Sequence, residues 1–192
     1  MGTEDLREKW DRRYADALET PPPIAVLTEN AHLLPERGRA LDLACGLGGN
    51  ALYLARRGLQ VLAWDLSPVA VSVLAASAGG LDLVAEARDV TVHPPPADRF
   101  DVISVGHFLD RALCRDIANA LRPGGLLFYQ TFTRERVDDG VIVDLVGVVT
   151  VVEDAGMAVG VSLHVLKPAS HALFDAPGEE VVEGVGTAGL DG

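Results

Sequence analysis

Arg39-Ala-Leu-Asp-Leu-Ala-Cys-Gly-Leu-Gly-Gly-Asn50 is the stretch whose reading decides the fold. Ala40 to Ala44 form a short apolar run broken only by Asp42, the pattern of a strand buried on both faces of a parallel sheet. Gly46, Gly48 and Gly49 then make a turn free of obstructing side chains. Asn50 to Arg57 resume at helical spacing, with Leu52, Leu54 and Ala55 inward. Strand, glycine turn and helix start together make a cradle for a nucleotide cofactor. The glycines admit the ligand to the backbone, and the helix start supplies free N–H groups. Gly46-x-Gly48-x-x-Ala51 also satisfies the general dinucleotide pattern, so the glycines alone do not name the ligand.

Asp42 narrows the choice. It lies four residues before Gly46, inside the strand, where a carboxylate is costly without partners. The spacing Asp-x-x-x-Gly-x-Gly resembles the first motif of class I S-adenosylmethionine methyltransferases. That resemblance implies an acid near the cationic methionine end of the cofactor; the anionic pyrophosphate of a dinucleotide needs none.

Downstream, Gln60 to Asp65 reads as a second strand after Gly58. Asp65, 19 residues beyond Gly46, is placed to accept ribose hydroxyls, a feature shared with dinucleotide folds. Ser67-Pro68 caps a helix over Val69 to Ala78. Leu81 to Glu86 is a third strand, Phe100 to Val105 a fourth, Leu109 to Leu121 a helix, and Leu126 to Thr131 a fifth strand after Arg122-Pro-Gly-Gly125. The order of a Phe-Asp strand, a helix, Leu-Arg-Pro-Gly-Gly and a strand closely resembles the later class I motifs. The resemblance covers residues 6 to about 136. It implies an α/β fold with a doubly wound, mostly parallel sheet. It implies S-adenosylmethionine as cofactor, held by Asp42, Gly46, Gly48, Asp65 and Leu66, by Asp89 and Val90 at the adenine, and by Gly106.

Upstream, Leu6, Trp10, Tyr14 and Leu18 give residues 4–18 an amphipathic helical pattern, ended by Pro21-Pro-Pro23. Ile24 to Leu34 repeats the helical spacing. Trp10-Asp-Arg-Arg-Tyr14 resembles the leading segment of small-molecule methyltransferases, which implies that this helix covers the cofactor with Trp10 and Tyr14. Residues 1–38 are accordingly expected to be a helical cover within a single unit spanning 1–136.

Composition bounds the function. The 192 residues allow about one domain. The charged N-terminus is not a secretory signal, and no run reaches the ~20 apolar residues of a membrane span. Cys45 and Cys114 form no disulfide framework, and a cytoplasmic location is expected. The net charge of −12 is uneven: residues 1–136 carry −3 and residues 137–192 carry −9, with Lys167 the only base in the latter. No basic stripe points to nucleic acid. His164 and His171 have no ligand cluster around them, so no metal is expected. P-loop and Gly-x-Ser-x-Gly patterns are absent.

Leu41-Asp-Leu-Ala-Cys-Gly-x-Gly-Gly-Asn-Ala-Leu-Tyr-Leu-Ala and Gly106-His-Phe-Leu-Asp-Arg-Ala-Leu113 are similar to the tellurite-resistance-type branch. That resemblance implies a small thiol, chalcogen or oxyanion-like acceptor, for which placement against the methyl carries most of the work. His107 and Arg111 are the candidate catalytic residues on the acceptor side: His107 to orient the acceptor or take a proton, Arg111 to hold an anion.

After Arg136 the resemblance ends. The family expects a polar connection, another helix and a final antiparallel pair completing seven strands. Val141 to Val152 is too β-branched for a helix. Met157 to Leu166 reads as a sixth strand, no seventh is evident, and Pro168 onward has a disordered composition. This diverged segment keeps two rivals open: a methyltransferase-like protein without turnover, and an NAD(P)-binding oxidoreductase sharing the cradle.

Overall fold

The computed structural model describes residues 2–17, 19–137, 141–154 and 157–165, with side chains described through Thr131. The first strand, β1 (Arg39–Leu43), is the third strand across a seven-stranded sheet. Around it run α3 (Gly49–Arg56), β2 (Gln60–Asp65), α4 (Pro68–Ser77), β3 (Leu83–Ala87), β4 (Phe100–Gly106), α5 (Cys114–Ala120) and β5 (Leu121–Val137). Upstream are α1 (Thr3–Ala15) and the short α2 (Ala25–Glu29). Downstream are β6 (Val141–Asp154) and β7 (Met157–Val165). The strand order is β3-β2-β1-β4-β5-β6-β7. The first five strands are parallel, and β6 and β7 continue as an antiparallel meander.

The alternation of side chains along β1 divides the core. Ala40 packs with Val26, Leu27, Leu54, Leu59 and Leu74 on the face covered by α2, α3 and α4. Leu41 and Leu43 pack with Trp64, Phe100, Ile103 and Ile117 on the face covered by α5. Burial of each such large side chain stabilises the fold by about 1.5–3 kcal/mol. No residue of α1 is buried, so that helix contributes no comparable term.

At the N-terminal ends of the strands, Asp101 fastens three segments. Its carboxylate accepts the Arg39 N–H at 2.7 Å and is bridged by the Arg122 guanidinium at 3.1 Å. Arg122-Pro-Gly-Gly125 is an irregularity within β5, because Phe100 pairs with Leu121 whereas Val102 pairs with Leu126.

Several expectations shift. The helix expected over 109–121 is a 3-10 turn at Arg111–Leu113 followed by α5. Asp110 accepts the Ala112 N–H at 2.9 Å and starts the turn there, leaving Leu109 exposed. The helix expected over 24–34 breaks at Asn30, whose side chain returns to the Val26 carbonyl at 2.9 Å. The helix expected over 4–18 spans Thr3–Ala15, and Leu18 lies outside the described residues. No seventh strand was evident in the sequence, yet the β-branched run 141–152 forms one: β6 pairs with β5, from Leu126 opposite Thr150 to Val137 opposite Val141. Only three residues separate β5 from β6, so the expected intervening helix has no room. Residues 166–192, with His171 and the segment expected to be disordered, lie outside the described residues.

Candidate active site

β1 is the point where the winding of the sheet reverses, with β2 on one side and β4 on the other. In open α/β sheets that point opens a crevice at the C-terminal strand ends. Backbone strain marks the same place. Ala44, following β1, and His107, following β4, both adopt φ +57°. The two strands are neighbours, with Leu43 opposite Val105. Non-glycine residues held in this region cost on the order of 1–3 kcal/mol each and cluster at functional sites.

The glycine turn is built as the sequence indicates. Gly46 (φ +52°) and Gly48 (φ +81°) carry the left-handed conformations, and Gly48 accepts the Leu52 N–H at 2.9 Å to open α3. Different neighbours require each glycine. A Cβ on Gly46 would lie 2.9 Å from the Tyr14 hydroxyl of α1, whereas one on Gly48 would lie 2.2 Å from Leu74 Cδ1. A Cβ on Gly49 would meet the Pro21 carbonyl at 2.3 Å, so the triproline segment lies directly over the helix start.

Asp42 is fully buried beneath the turn. Its Oδ2 accepts the Ala51 N–H at 3.0 Å, and its Oδ1 accepts Ser104 Oγ at 2.8 Å and Asn50 Nδ2 at 3.2 Å. These bonds tie β1, α3 and β4 together below the crevice. Burial pushes its carboxyl up to about 6, against the lowering pull of the three donors. Asp65 accepts the Gly46 N–H at 2.8 Å on one oxygen and the Ser67 N–H at 2.9 Å on the other. Each oxygen keeps a lone pair for a further donor. Burial raises its carboxyl too, and the nearby Asp11 carboxylate adds to the rise. Ser67 Oγ donates to Asp11, joining α1 to the cap of α4. Among the described residues, neither Asp42 nor Asp65 has a Lys or Arg ion-pair partner.

Leu66 is half-buried beside Asp65. Asp89 closes a tight turn, accepting the Thr91 N–H at 2.9 Å and Oγ1 at 2.6 Å, which lowers its carboxyl. Val90 is buried against Trp64 and the β1 leucines. Trp10 stacks on Tyr14 at 5.7 Å within α1. Gly106 lies under the cover segment, where a Cβ would meet Ile24 Cγ2 at 2.9 Å. His107 is exposed, and its backbone N–H donates to the Gln130 carbonyl at 2.7 Å. Arg111 is exposed on the same β4–α5 loop. The structure therefore gathers the glycine turn, Asp65, Tyr14 and Gly106 at one crevice, with His107 on its β4 rim. Asp42 lies beneath it.

Three residues escaped the sequence reading: Asn50, Ser104 and Gln130, all buried. A polar residue inside an apolar run was the available signal at Ser104 and Gln130. Their partners lie 62 and 104 residues away, beyond any local pattern.

The donor set fits a cationic ligand bearing hydroxyls. Two buried carboxylates without cationic partners among the described residues favour positive charge, and the lone pairs of Asp65 suit hydroxyl donors. An anionic pyrophosphate would gain nothing from Asp42, whereas Asp65 suits the ribose of either cofactor. Among the described residues no cluster of three His, Cys, Asp or Glu side chains could hold a metal ion. No helix there is long and apolar enough to cross a membrane.

Comparison with known proteins agrees with this geometry. Residues 40–125 match the family model described as a methyltransferase domain. The ubiquinone biosynthesis O-methyltransferase of Xanthomonas axonopodis pv. citri is 31% identical over 137 residues, covering 65% of this chain and 56% of that protein. The chain thus spans a little over half the length of the curated relatives it matches. A solved structure described for conversion of a disulfide bond into a thioacetal group during echinomycin biosynthesis superposes with TM-score 0.57 at 30% identity, covering 67% of this chain and 61% of that one. An S-adenosylmethionine-dependent methyltransferase from Mesorhizobium loti superposes with TM-score 0.50 at 27% identity, covering 56% and 54%. The matched core is thus similar to a methyltransferase domain and has a Rossmann-like α/β fold.

Proposed function

We propose that this chain is a class I methyltransferase that binds S-adenosylmethionine over the glycine turn and transfers its methyl group to a small-molecule acceptor. The carrying observation is the pair of buried carboxylates, Asp42 and Asp65, flanking a glycine turn with no cationic partner among the described residues. Asp65 holds the ribose through its remaining lone pairs. Leu66, Asp89 and Val90 line the adenine end, Gly46 and Gly106 let the backbone approach the cofactor, and Gly48 lets the turn pack on Leu74. Asp42 acts through its charge from beneath the turn, because all three of its bonds are made within the protein. Trp10 and Tyr14 cover the site. The bound cofactor supplies an electrophilic methyl on a sulfonium, which leaves as neutral S-adenosylhomocysteine when an acceptor lone pair takes the methyl.

His107 and Arg111 face the acceptor side. The similarity to the tellurite-resistance-type branch supports a thiol, chalcogen or oxyanion acceptor, which needs only placement and desolvation. The names of the curated relatives support oxygen. A hydroxyl acceptor must lose a proton, and the exposed imidazole of His107 is the base within the β4–α5 loop that can take it. In this reading residues 1–136 form the catalytic unit and 137–192 a diverged extension. The protein works in the cytoplasm on a small molecule, without nucleic acid, membrane or metal.

Calorimetric titration with S-adenosylhomocysteine, using NADH as the control, tests the cofactor. Micromolar binding of the first alone supports the proposal, and binding of NADH alone would replace it with the oxidoreductase reading. Methyl transfer from S-adenosylmethionine to dithiothreitol, selenite and catechol then tests turnover. Cofactor binding with no transfer to any acceptor would favour a methyltransferase-like protein without activity.

A further inference from the structure

Two buried amides meet the start of α2. Asn50 Oδ1 accepts the Ile24 N–H at 2.9 Å, and Gln130 Oε1 accepts the Val26 N–H at 3.3 Å. These are leading N–H groups that a helix cannot satisfy itself, and no side chain of the α2 segment caps them. The same two residues reach opposite sides of the crevice. Asn50 Nδ2 donates to Asp42 under the glycine turn, and the Gln130 carbonyl accepts from the strained His107. Between them the cover segment presses on the crevice floor: the Pro21 carbonyl lies over Gly49, and Ile24 Cγ2 lies over Gly106.

We propose that Asn50 and Gln130 are positioning residues that latch Pro21–Val26 in place as a fixed wall of the ligand crevice, joining its cofactor side to its acceptor side. The inference rests on reading that crevice as the S-adenosylmethionine site. A buried N–H left without its acceptor is costly, so removing one amide oxygen releases the segment locally. The core beneath α2 remains, because Val26 and Leu27 are held by apolar packing.

The experiment measures amide hydrogen exchange and S-adenosylhomocysteine affinity on the full chain. It compares wild type, Gln130→Met, which removes the oxygen while keeping length, and Gln130→Glu, which restores an acceptor. In Gln130→Met, exchange across residues 24–28 should accelerate at least tenfold while β1 and α5 stay protected. Affinity for S-adenosylhomocysteine should fall about three- to tenfold, and Gln130→Glu should recover both. Wild-type exchange over 24–28 should also slow when S-adenosylhomocysteine is added, a result that requires no variant.

Unchanged exchange in Gln130→Met overturns the latch. Local acceleration with wild-type affinity overturns the wall, as does ligand that leaves wild-type exchange over 24–28 unaltered. Acceleration spread evenly over the whole chain assigns Gln130 to general stability and also overturns the proposal. A folded wild type that binds no S-adenosylhomocysteine defeats the reading of the crevice, and the wall with it. The exchange of the Gln130→Met chain still reports separately whether the latch exists.

Discussion

The Gly46 N–H and the Asp65 carboxylate meet at 2.8 Å, so the glycine turn is fastened to the end of the second strand. One carboxylate thereby shapes the turn, and in the proposed function its remaining lone pairs accept from a ribose. Asp65→Ala should weaken S-adenosylhomocysteine binding by roughly 1.5–3 kcal/mol, the value of bonds to a charged group. Calorimetry reads this directly. Asp65→Asn should fall between the two, because one backbone N–H would face an amide NH2. An Asp65→Ala chain with wild-type affinity would remove Asp65 from the ligand site.

Asp42 makes the charge of the crevice depend on pH. Its carboxyl stands near 6 in the folded chain against 3.8 when exposed. Between those values the folded chain keeps a proton that the unfolded chain has lost. Stability therefore falls as pH rises through this window and levels off above it, by roughly 3 kcal/mol in all. Asp42→Asn should flatten that slope in denaturant titrations, while losing stability at every pH through its mismatched donors. A variant with an unaltered slope would assign the window to another group.

The same proton should separate two ligands. Ionised Asp42 favours the sulfonium of S-adenosylmethionine over the neutral thioether of S-adenosylhomocysteine. The affinity ratio of the two should therefore rise in favour of S-adenosylmethionine between pH 5 and pH 7.5. Paired calorimetric titrations give the ratio, and a constant value would show that Asp42 does not sense the ligand's charge.

Gly48 is held open by the protein rather than by a ligand. Gly48→Ala would drive a Cβ into Leu74 and place alanine at φ +81°. The left-handed conformation costs about 1–2 kcal/mol and the overpacking about 1–3 more. Adding Leu74→Ala should return only the overpacking part, since the backbone conformation stays unfavourable. Thermal melts of the single and double variants distinguish the two contributions.

His107 separates acceptor chemistries. His107→Gly keeps the φ +57° backbone at no steric cost and deletes the imidazole. Transfer to catechol should drop about 10²-fold or more, the usual worth of a positioned base. Transfer to a thiol already ionised should change little. Equal losses for both would make His107 a shaping residue rather than a base.

The strands of the centre were legible because each is an apolar run ending at glycine or a carboxylate. Asp42, Gly46, Gly48 and Asp65 were legible as a set because their spacing follows from strand, turn and strand. Roles were harder to read than places. Asp42 was expected beside the methionine end of the cofactor, and its three donors come from elements that only the folded sheet brings near. Asn50 looked like a helix opener and Gln130 like a strand interior, since each acts across the fold. The run 141–152 was legible as unsuited to a helix but not as a partner of β5. Pairing register between distant segments has no local mark.

The thirteen residues of α1 include none that is buried, and the helix touches the crevice chiefly through Tyr14 over Gly46 and Asp11 at Ser67. A sequence change there carries little risk for the rest of the molecule. Away from Trp10, Asp11 and Tyr14, selection can therefore rewrite this helix at little cost to the fold.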